Sequence, residues 1–198
     1  MPVNPDQLAI VKYPAEVLKQ RSAPVPEVTD LVRDVARRMI ELMHKAEGIG
    51  LAANQVGLAW RLFVVDLPPS DDPEDGRSLA DTPASATDGP RVYINPVFSD
   101  PRRDLVAEEE GCLSLPEIRG EVRRPSQITI SALGLDGKPF TLRAQGLLAR
   151  CWQHEMDHLD GVLILDRMTQ TSRAKNKNAV RTLEQRAGHA AARGAPEP

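Results

Sequence analysis

Cys151-Trp152-Gln153-His154-Glu155-Met156-Asp157-His158-Leu159-Asp160-Gly161 contains the pattern His-Glu-x-x-His, with its histidines at i and i+4. On a helix that spacing puts both imidazoles on one face, with Cβ atoms about 5–6 Å apart, so two ring nitrogens can reach one divalent ion. Glu155, next to the first histidine, can then lie beside a water on that ion. Leu147-Leu148-Ala149 upstream, with Met156 and Leu159 within, supply an apolar side, so the stretch reads as a buried helix that Gly161 ends. Three fixed letters in five also arise by chance, and helical histidines can be ordinary core or surface residues. The chain has only four histidines and two fall here, which makes this a metal-hydrolase pattern in need of a third ligand.

With 198 residues the chain is long enough for one domain with a sizeable core. Aromatic residues are 4% of the total, too few for a single-strand stacking platform, and a net charge of -3 argues against an overall polyanion-binding surface. DNA is therefore not an expected partner. No apolar run approaches the length of a membrane span, and Met1-Pro2-Val3-Asn4-Pro5-Asp6 has no basic-then-apolar signal pattern. The expectation is a cytoplasmic protein without membrane contact. In that setting the two cysteines, Cys112 and Cys151, read as ligand, reactive group or core filler rather than as a disulfide.

Upstream, residues 8–22 read as an extended apolar start and a short helical turn after Pro14. Thr29-Asp30 caps a helix running to about Glu47, which Gly48-Ile49-Gly50 stops. His44 on that helix is a surface or packing residue. In Gly48-Ile49-Gly50-Leu51-Ala52-Ala53-Asn54-Gln55-Val56-Gly57, small residues permit close backbone approach, and the Gln55 amide can donate to an oxyanion; a tight turn is the plainer reading. Strands are expected at 62–67, 91–98, 121–124, 128–131 and 140–142, with an Asp136-Gly137 hairpin turn joining the last two. Residues 68–90 hold five prolines, six acids and one arginine, and read as a mobile surface loop. The segment 171–198 carries six Lys/Arg against two acids; it reads as helical to about Arg186 and disordered beyond.

Glu108-Glu109-Glu110-Gly111-Cys112-Leu113-Ser114-Leu115-Pro116 is the second unusual stretch. A buried structural cysteine is the commoner reading of a lone Cys, but Cys112 is also the obvious soft donor for a His2Cys site with an open fourth position.

Three segments taken together, Gly48 to Gln55, Glu110 to Ser114 and Gln153 to His158, resemble the motifs of the peptide deformylases, in the same order. The resemblance covers roughly residues 8–170. It implies an α+β fold, with mixed or antiparallel strands packed around a central helix carrying His-Glu-x-x-His, and a C-terminal helix. Residues 1–170 would be a single catalytic domain with a 68–90 insertion, and 171–198 a basic helix and tail. The implied activity is metal-dependent hydrolysis of the N-formyl group from the formyl-methionine of nascent polypeptides, releasing formate.

On that resemblance Cys112, His154 and His158 bind one divalent ion, usually Fe2+, with Zn2+, Ni2+ or Co2+ as substitutes. Glu155 is the general base and later the acid, and the Leu113 N–H and the Gln55 amide hold the oxyanion. Gly50, Gly111 and Arg119 meet the substrate backbone, while Ile49, Leu147, Arg150 and Cys151 line the methionine pocket. Arg150 departs from the aliphatic residue common there; its stem is expected to cover apolar surface while its head reaches solvent. The family also implies weak docking of the basic tail on ribosomal RNA, although a solvated charged terminus is as simple.

Two rivals share some of these residues. A zinc protease of the longer His-x-x-Gly-x-x-His type lacks its last histidine, since Ile164 stands there, and would need Glu184 instead. A structural Cys2His2 site using Cys151 with Cys112, His154 and His158 would leave no place for water.

Overall fold

Thr29 starts the first helix, α1 (Asp30–Lys45), by accepting a hydrogen bond from the Val32 N–H at 3.4 Å. This computed structural model describes residues 3–69 and 83–192. Helix α1 ends before the expected glycines, because Glu47 itself adopts the left-handed conformation at φ 55°. Then follow β1 (Gly50–Ala52), a 3-10 turn at Ala53–Val56, β2 (Leu62–Val65), β3 (Arg91–Ser99), β4 (Leu105–Cys112), β5 (Leu115–Pro125), β6 (Gln127–Leu133) and β7 (Pro139–Gln145). The metal-motif helix is α2 (Gly146–Leu159), followed by the short α3 (Ile164–Arg167) and by α4 (Gln170–Ala192).

Five strands make one antiparallel sheet in the order β1-β2-β3-β6-β7, while β4 and β5 form a separate antiparallel pair. The fold is α+β, as expected. Alternation along β2 covers the large sheet on both faces. Phe63 and Val65 point to the side where Leu148, Trp152 and Leu159 of α2 pack. Leu62 and Val64 point to the side of Val35, Met39 and Met43 on α1. On the α2 side, Tyr93 stacks on Phe63 at 4.7 Å between centroids and meets Trp152 edge-on at 5.5 Å. A smaller core joins Ile118 and Val122 of β5 to Ile164, Met168, Val180 and Leu183. It holds α3 and α4 against the two-stranded sheet. No helix among the described residues is long and apolar enough to cross a membrane.

Two expectations need correction. Residues 70–82 lie outside the described residues, but the later part of the 68–90 segment is tied to the core. The Ala84 N–H donates to the Arg143 carbonyl at 2.8 Å, and the Gln145 N–H donates to the Ala84 carbonyl at 2.9 Å. Thr87 is only 6% exposed; it receives the Leu67 N–H on its hydroxyl and gives its own N–H to the Leu67 carbonyl. The backbone of this proline-rich segment is thus hydrogen-bonded to strands that composition alone cannot reveal. Second, α4 continues past Arg186 to Ala192.

Gly161 follows α2 at φ +73°, and a Cβ there would overlap the Lys19 carbonyl, with its carbon 2.8 Å away. Gly137 has a similar φ of +75° but nothing within 4 Å. Gly161→Ala is expected to lower stability by about 2–4 kcal/mol and Gly137→Ala by about 1–2 kcal/mol, the difference being the backbone clash. Thermal melting of the two variants measures it, and equal melting points would contradict the packing at Gly161.

Candidate metal centre

Helix α2 is positioned from three directions. Its apolar residues bury against the large sheet, and Gly146 (φ 57°) and Gly161 allow sharp entry and exit. The Asn54 side-chain amide donates to the His158 carbonyl and pins the last turn. Strand β4 brings Cys112 from the small sheet. Its pairing with β5 slips at this point, from Gly111 opposite Arg119 to Cys112 opposite Leu115, so the thiol stands at the bend of the hairpin.

Cys112, His154 and His158 converge there: one donor atom from each lies within 4.8 Å of the others. Cys112 Sγ is 3.2 Å from His158 Nε2, close to the roughly 3.5 Å between ligands that share a tetrahedral ion. His154 Nδ1 lies 3.0 Å from Glu110 Oε2, which leaves Nε2 of that ring for the centre. One thiolate and two imidazoles suit a divalent transition metal, and three protein donors leave room for a fourth ligand. The residues therefore fit one metal ion.

Electrostatics at the site follow from burial and pairing. Burial works against a charge on His154, yet its hydrogen bonds to Cys112 and Glu110 more than offset this and raise the ring to about 10. Burial pushes His158 well down. Burial would raise Glu110, but hydrogen bonds from Arg124 and His154 outweigh it and hold the carboxyl well below the usual range. Glu155 is pushed up to about 7 by burial, against the pull of His154 and Arg124. Its Oε2 is buried without a hydrogen-bond partner, as is His158 Nδ1.

All the expected site residues except His158 line one cavity of about 480 Å³: Ile49, Gly50, Gln55, Gly111, Cys112, Leu113, Arg119, Leu147, Arg150, Cys151, His154 and Glu155. Gln55 is 1% exposed; its Oε1 accepts the Ala52 N–H at 2.8 Å, which turns Nε2 toward Ser114 Oγ (3.2 Å) and Cys112 Sγ (3.5 Å). A Cβ on Gly50 would overlap Glu155 Oε1 and lie 2.8 Å from Cys151 Sγ. Glycine is what lets β1 run this close to the helix. A Cβ on Gly48 would likewise meet Leu113 Cδ1 at 2.7 Å. Leu147, at the mouth, is 49% exposed.

Arg150 corrects the expectation. The residue lines the cavity, but its head does not reach solvent: it donates to Glu110 Oε1 (2.7 Å) and to the carbonyls of Val106 (2.8 Å) and Val122 (3.0 Å). Cys151 stands outside the donor cluster and donates weakly to the Ile49 carbonyl at 3.7 Å, which disfavours the Cys2His2 rival. Glu184 accepts the Tyr13 hydroxyl at 2.7 Å in a different groove, so the protease-type ligand set is not assembled.

Sequence reasoning missed the residues around the candidate ligands. Arg124 grips Glu110 through two nitrogens (2.6 and 2.9 Å) and also reaches Asp157 at 2.8 Å. Lys12 Nζ donates to the Leu113 carbonyl at 2.7 Å. Glu110 could have been found, since it sits two residues before Cys112 on a strand and so faces the same way. Nothing local marks Arg124 or Lys12, whose contacts span elements far apart in the chain.

The polypeptide deformylase family model matches residues 7–174. The chain is 45% identical over 161 residues to peptide deformylase 2 of Gloeobacter violaceus, covering 81% of this chain and 79% of that protein. It is 43% identical over 183 residues to a peptide deformylase of Novosphingobium aromaticivorans, covering 88% and 94%. The crystal structure of peptide deformylase from Ehrlichia chaffeensis superposes with a TM-score of 0.80 at 34% identity, covering 90% of this chain and 97% of that one. A match over so much of the chain, to relatives this similar, settles its place: the chain belongs to the polypeptide deformylase family.

Proposed function

We propose that Cys112, His154 and His158 hold the single metal ion, ferrous iron in the native protein with Zn2+, Ni2+ or Co2+ as substitutes, and that Glu155 moves the protons of the reaction. The reaction itself is the family's: hydrolysis of the N-formyl group from the formyl-methionine of nascent polypeptides, with release of formate. The observation that carries the assignment is a buried carboxylate with an unpartnered oxygen, lining one cavity with Cys112 and His154, two of three converging donors.

When bound, the ion makes a nucleophile available near neutral pH and polarises the carbonyl. Glu155 accepts a proton from the attacking water and returns it to the peptide amine as the C–N bond breaks. The water oxygen leaves in formate. Gln55 Nε2, held in place through its Oε1, and the Leu113 N–H donate to the oxyanion. The Lys12 ammonium on the Leu113 carbonyl steadies that backbone.

Substrate fits between two backbone segments. Gly50 on β1 and Gly111 with Arg119 on the small sheet meet the extended peptide, and Ile49, Leu147, Cys151 and the Arg150 stem receive the methionine side chain. The tight approach of Gly48 to Leu113 leaves little room beside the formyl hydrogen, which favours formyl over acetyl. Residues 1–170 form the catalytic unit on this reading, and 171–198 a basic extension. We place the chain in the cytoplasm, where nascent polypeptides arise, with the exposed cations of α4 in weak contact with the ribosome.

Glu155→Ala is expected to keep one metal per chain and to lose at least about a hundredfold in kcat/KM for formyl-Met peptides, measured anaerobically as formate release with metal analysis of the same sample. Near-normal turnover would refute the proton-transfer role. Treatment with a strong chelator should abolish formate release, and Fe2+ added back without oxygen should restore it. Activity that survives removal of the metal would end the metal assignment. Replacing Lys175, Lys177 and Arg181 together by Glu is expected to reduce co-sedimentation with ribosomes while formate release stays near wild type. Unchanged co-sedimentation would remove the ribosome contact.

A further inference from the structure

Arg150 and His154 stand one turn apart on α2, at i and i+4, and both bind the same carboxylate. Glu110 Oε1 accepts Arg124 Nε at 2.6 Å and Arg150 Nη1 at 2.7 Å, while Oε2 accepts Arg124 Nη2 at 2.9 Å and lies 3.0 Å from His154 Nδ1. A carboxylate offers about four acceptor directions, and these contacts use all of them. An ionised carboxylate can only accept, so the His154 nitrogen is the donor, and in the neutral ring Nε2 then carries the lone pair that an ion would take.

We propose that Arg150 is a positioning residue for the metal centre, acting through Glu110 to keep the His154 ring turned toward Cys112 and His158. Arg124 alone grips Glu110 in one plane, from β5, and leaves the carboxylate free to tilt about that fork. Arg150 approaches from the helix and removes this freedom. Its own place is over-determined: besides Glu110, it donates to the carbonyls of Val122 and Val106, and Nε pairs with Glu108 at 2.8 Å. An aliphatic side chain at this position could make none of these contacts.

Two effects of the second cation oppose each other. Its charge draws electron density in Glu110 away from the His154 ring and weakens the ligand, while its geometry keeps the ring aligned. Arg124 already neutralises Glu110 through two bonds, so the electronic effect of a second cation is the smaller. Loss of Arg150 thus loosens the ring more than it enriches it.

The inference rests on the proposed role of His154 as a ligand, and the test separates the two. Full-length protein loaded with Zn2+ is mixed with excess chromogenic chelator, and Zn2+ release is timed for the wild type, Arg150→Met, Arg150→Lys and His154→Ala. On the same Zn2+-loaded wild type and Arg150 variants, NMR follows the His154 Nδ1–H proton. Arg150→Met is expected to release Zn2+ about tenfold faster, the low end of the ten- to hundredfold range for groups bonded directly to a metal-ligating residue, because Arg150 acts at one remove through Glu110. Its Nδ1–H signal should broaden or vanish through exchange with water.

Should Arg150→Met not fold, Arg150→Lys carries the test, because one ammonium nitrogen cannot occupy both positions from which Nη1 reaches Glu110 and Val122 and Nη2 reaches Val106. A lower melting point with wild-type Zn2+ release and an unchanged ring proton would overturn the proposal, leaving Arg150 a staple between helix and sheet. His154→Ala that releases Zn2+ like the wild type would instead sink the ligand assignment on which it stands.

Discussion

The buried ion pair between Glu110 and Arg124 is the interaction on which the candidate metal centre stands. Taking both groups out of water costs several kcal/mol each, and only complete pairing offsets it. Here the pairing extends through an alternating series: Glu108, Arg150, Glu110, Arg124, Asp157 and Arg167. The outer members, Glu108 and Arg167, are half-exposed, so the series begins and ends in solvent. It ties β4 and β5 to α2 and reaches α3. Loss of an inner member would strand a buried charge, which typically costs about 3–5 kcal/mol. The same contacts that join the small sheet to the helix therefore fix where Cys112 meets the two histidines.

Bringing Cys112 to a pair of histidines far from it in the chain needs two independent supports for α2. One is hydrophobic: Leu148, Trp152 and Leu159 lock the helix to the large sheet through a dense core. The other is the ionic series on the opposite flank. The hydrophobic side gives most of the stability and little direction, because apolar contacts tolerate small slides. The ionic side is directional, and on this argument it sets the helix register to the fraction of an ångström that a metal requires.

Much of this was legible in the sequence because it is periodic or local. The i, i+4 histidines, the Thr29 cap and the Asp136-Gly137 turn each depend on neighbours a few residues away, and the structure contains the helices and hairpin they foretell. Strand 91–99, with its buried run Val92-Tyr93-Ile94, and strand 127–133, which alternates, are of the same kind. What was not legible depends on distant partners. Arg150 reads as a surface-reaching side chain in a helix because its four acceptors lie on β4 and β5, between 28 and 44 positions upstream. Segment 83–90 reads as loop because its bonds go to β7 and to Leu67. Glu47 ends α1 in a conformation usually given to glycine, so the glycines after it misplace the boundary.

Helix α2 is buried on nearly every side, though its sequence is far from uniformly apolar. A helix in that position ordinarily carries apolar residues all round. Arg150, Gln153 and Asp157 are buried here with their polar atoms engaged: the Gln153 amide donates to the Ala149 and Pro125 carbonyls, and Asp157 is held by two arginines. The buried side-chain atoms of this helix without a partner are Trp152 Nε1, Glu155 Oε2 and His158 Nδ1. Two of the three belong to the centre. Folding thus satisfies polar groups where they serve architecture and leaves them unsatisfied where the proposed chemistry acts. The two histidines divide the same way: His154 is anchored by a carboxylate, while His158 is held from behind by the bond from Asn54 to its own carbonyl. One of the proposed ligand rings is fixed through its side chain and the other through its backbone, so a disturbance of the ionic series reaches His154 first.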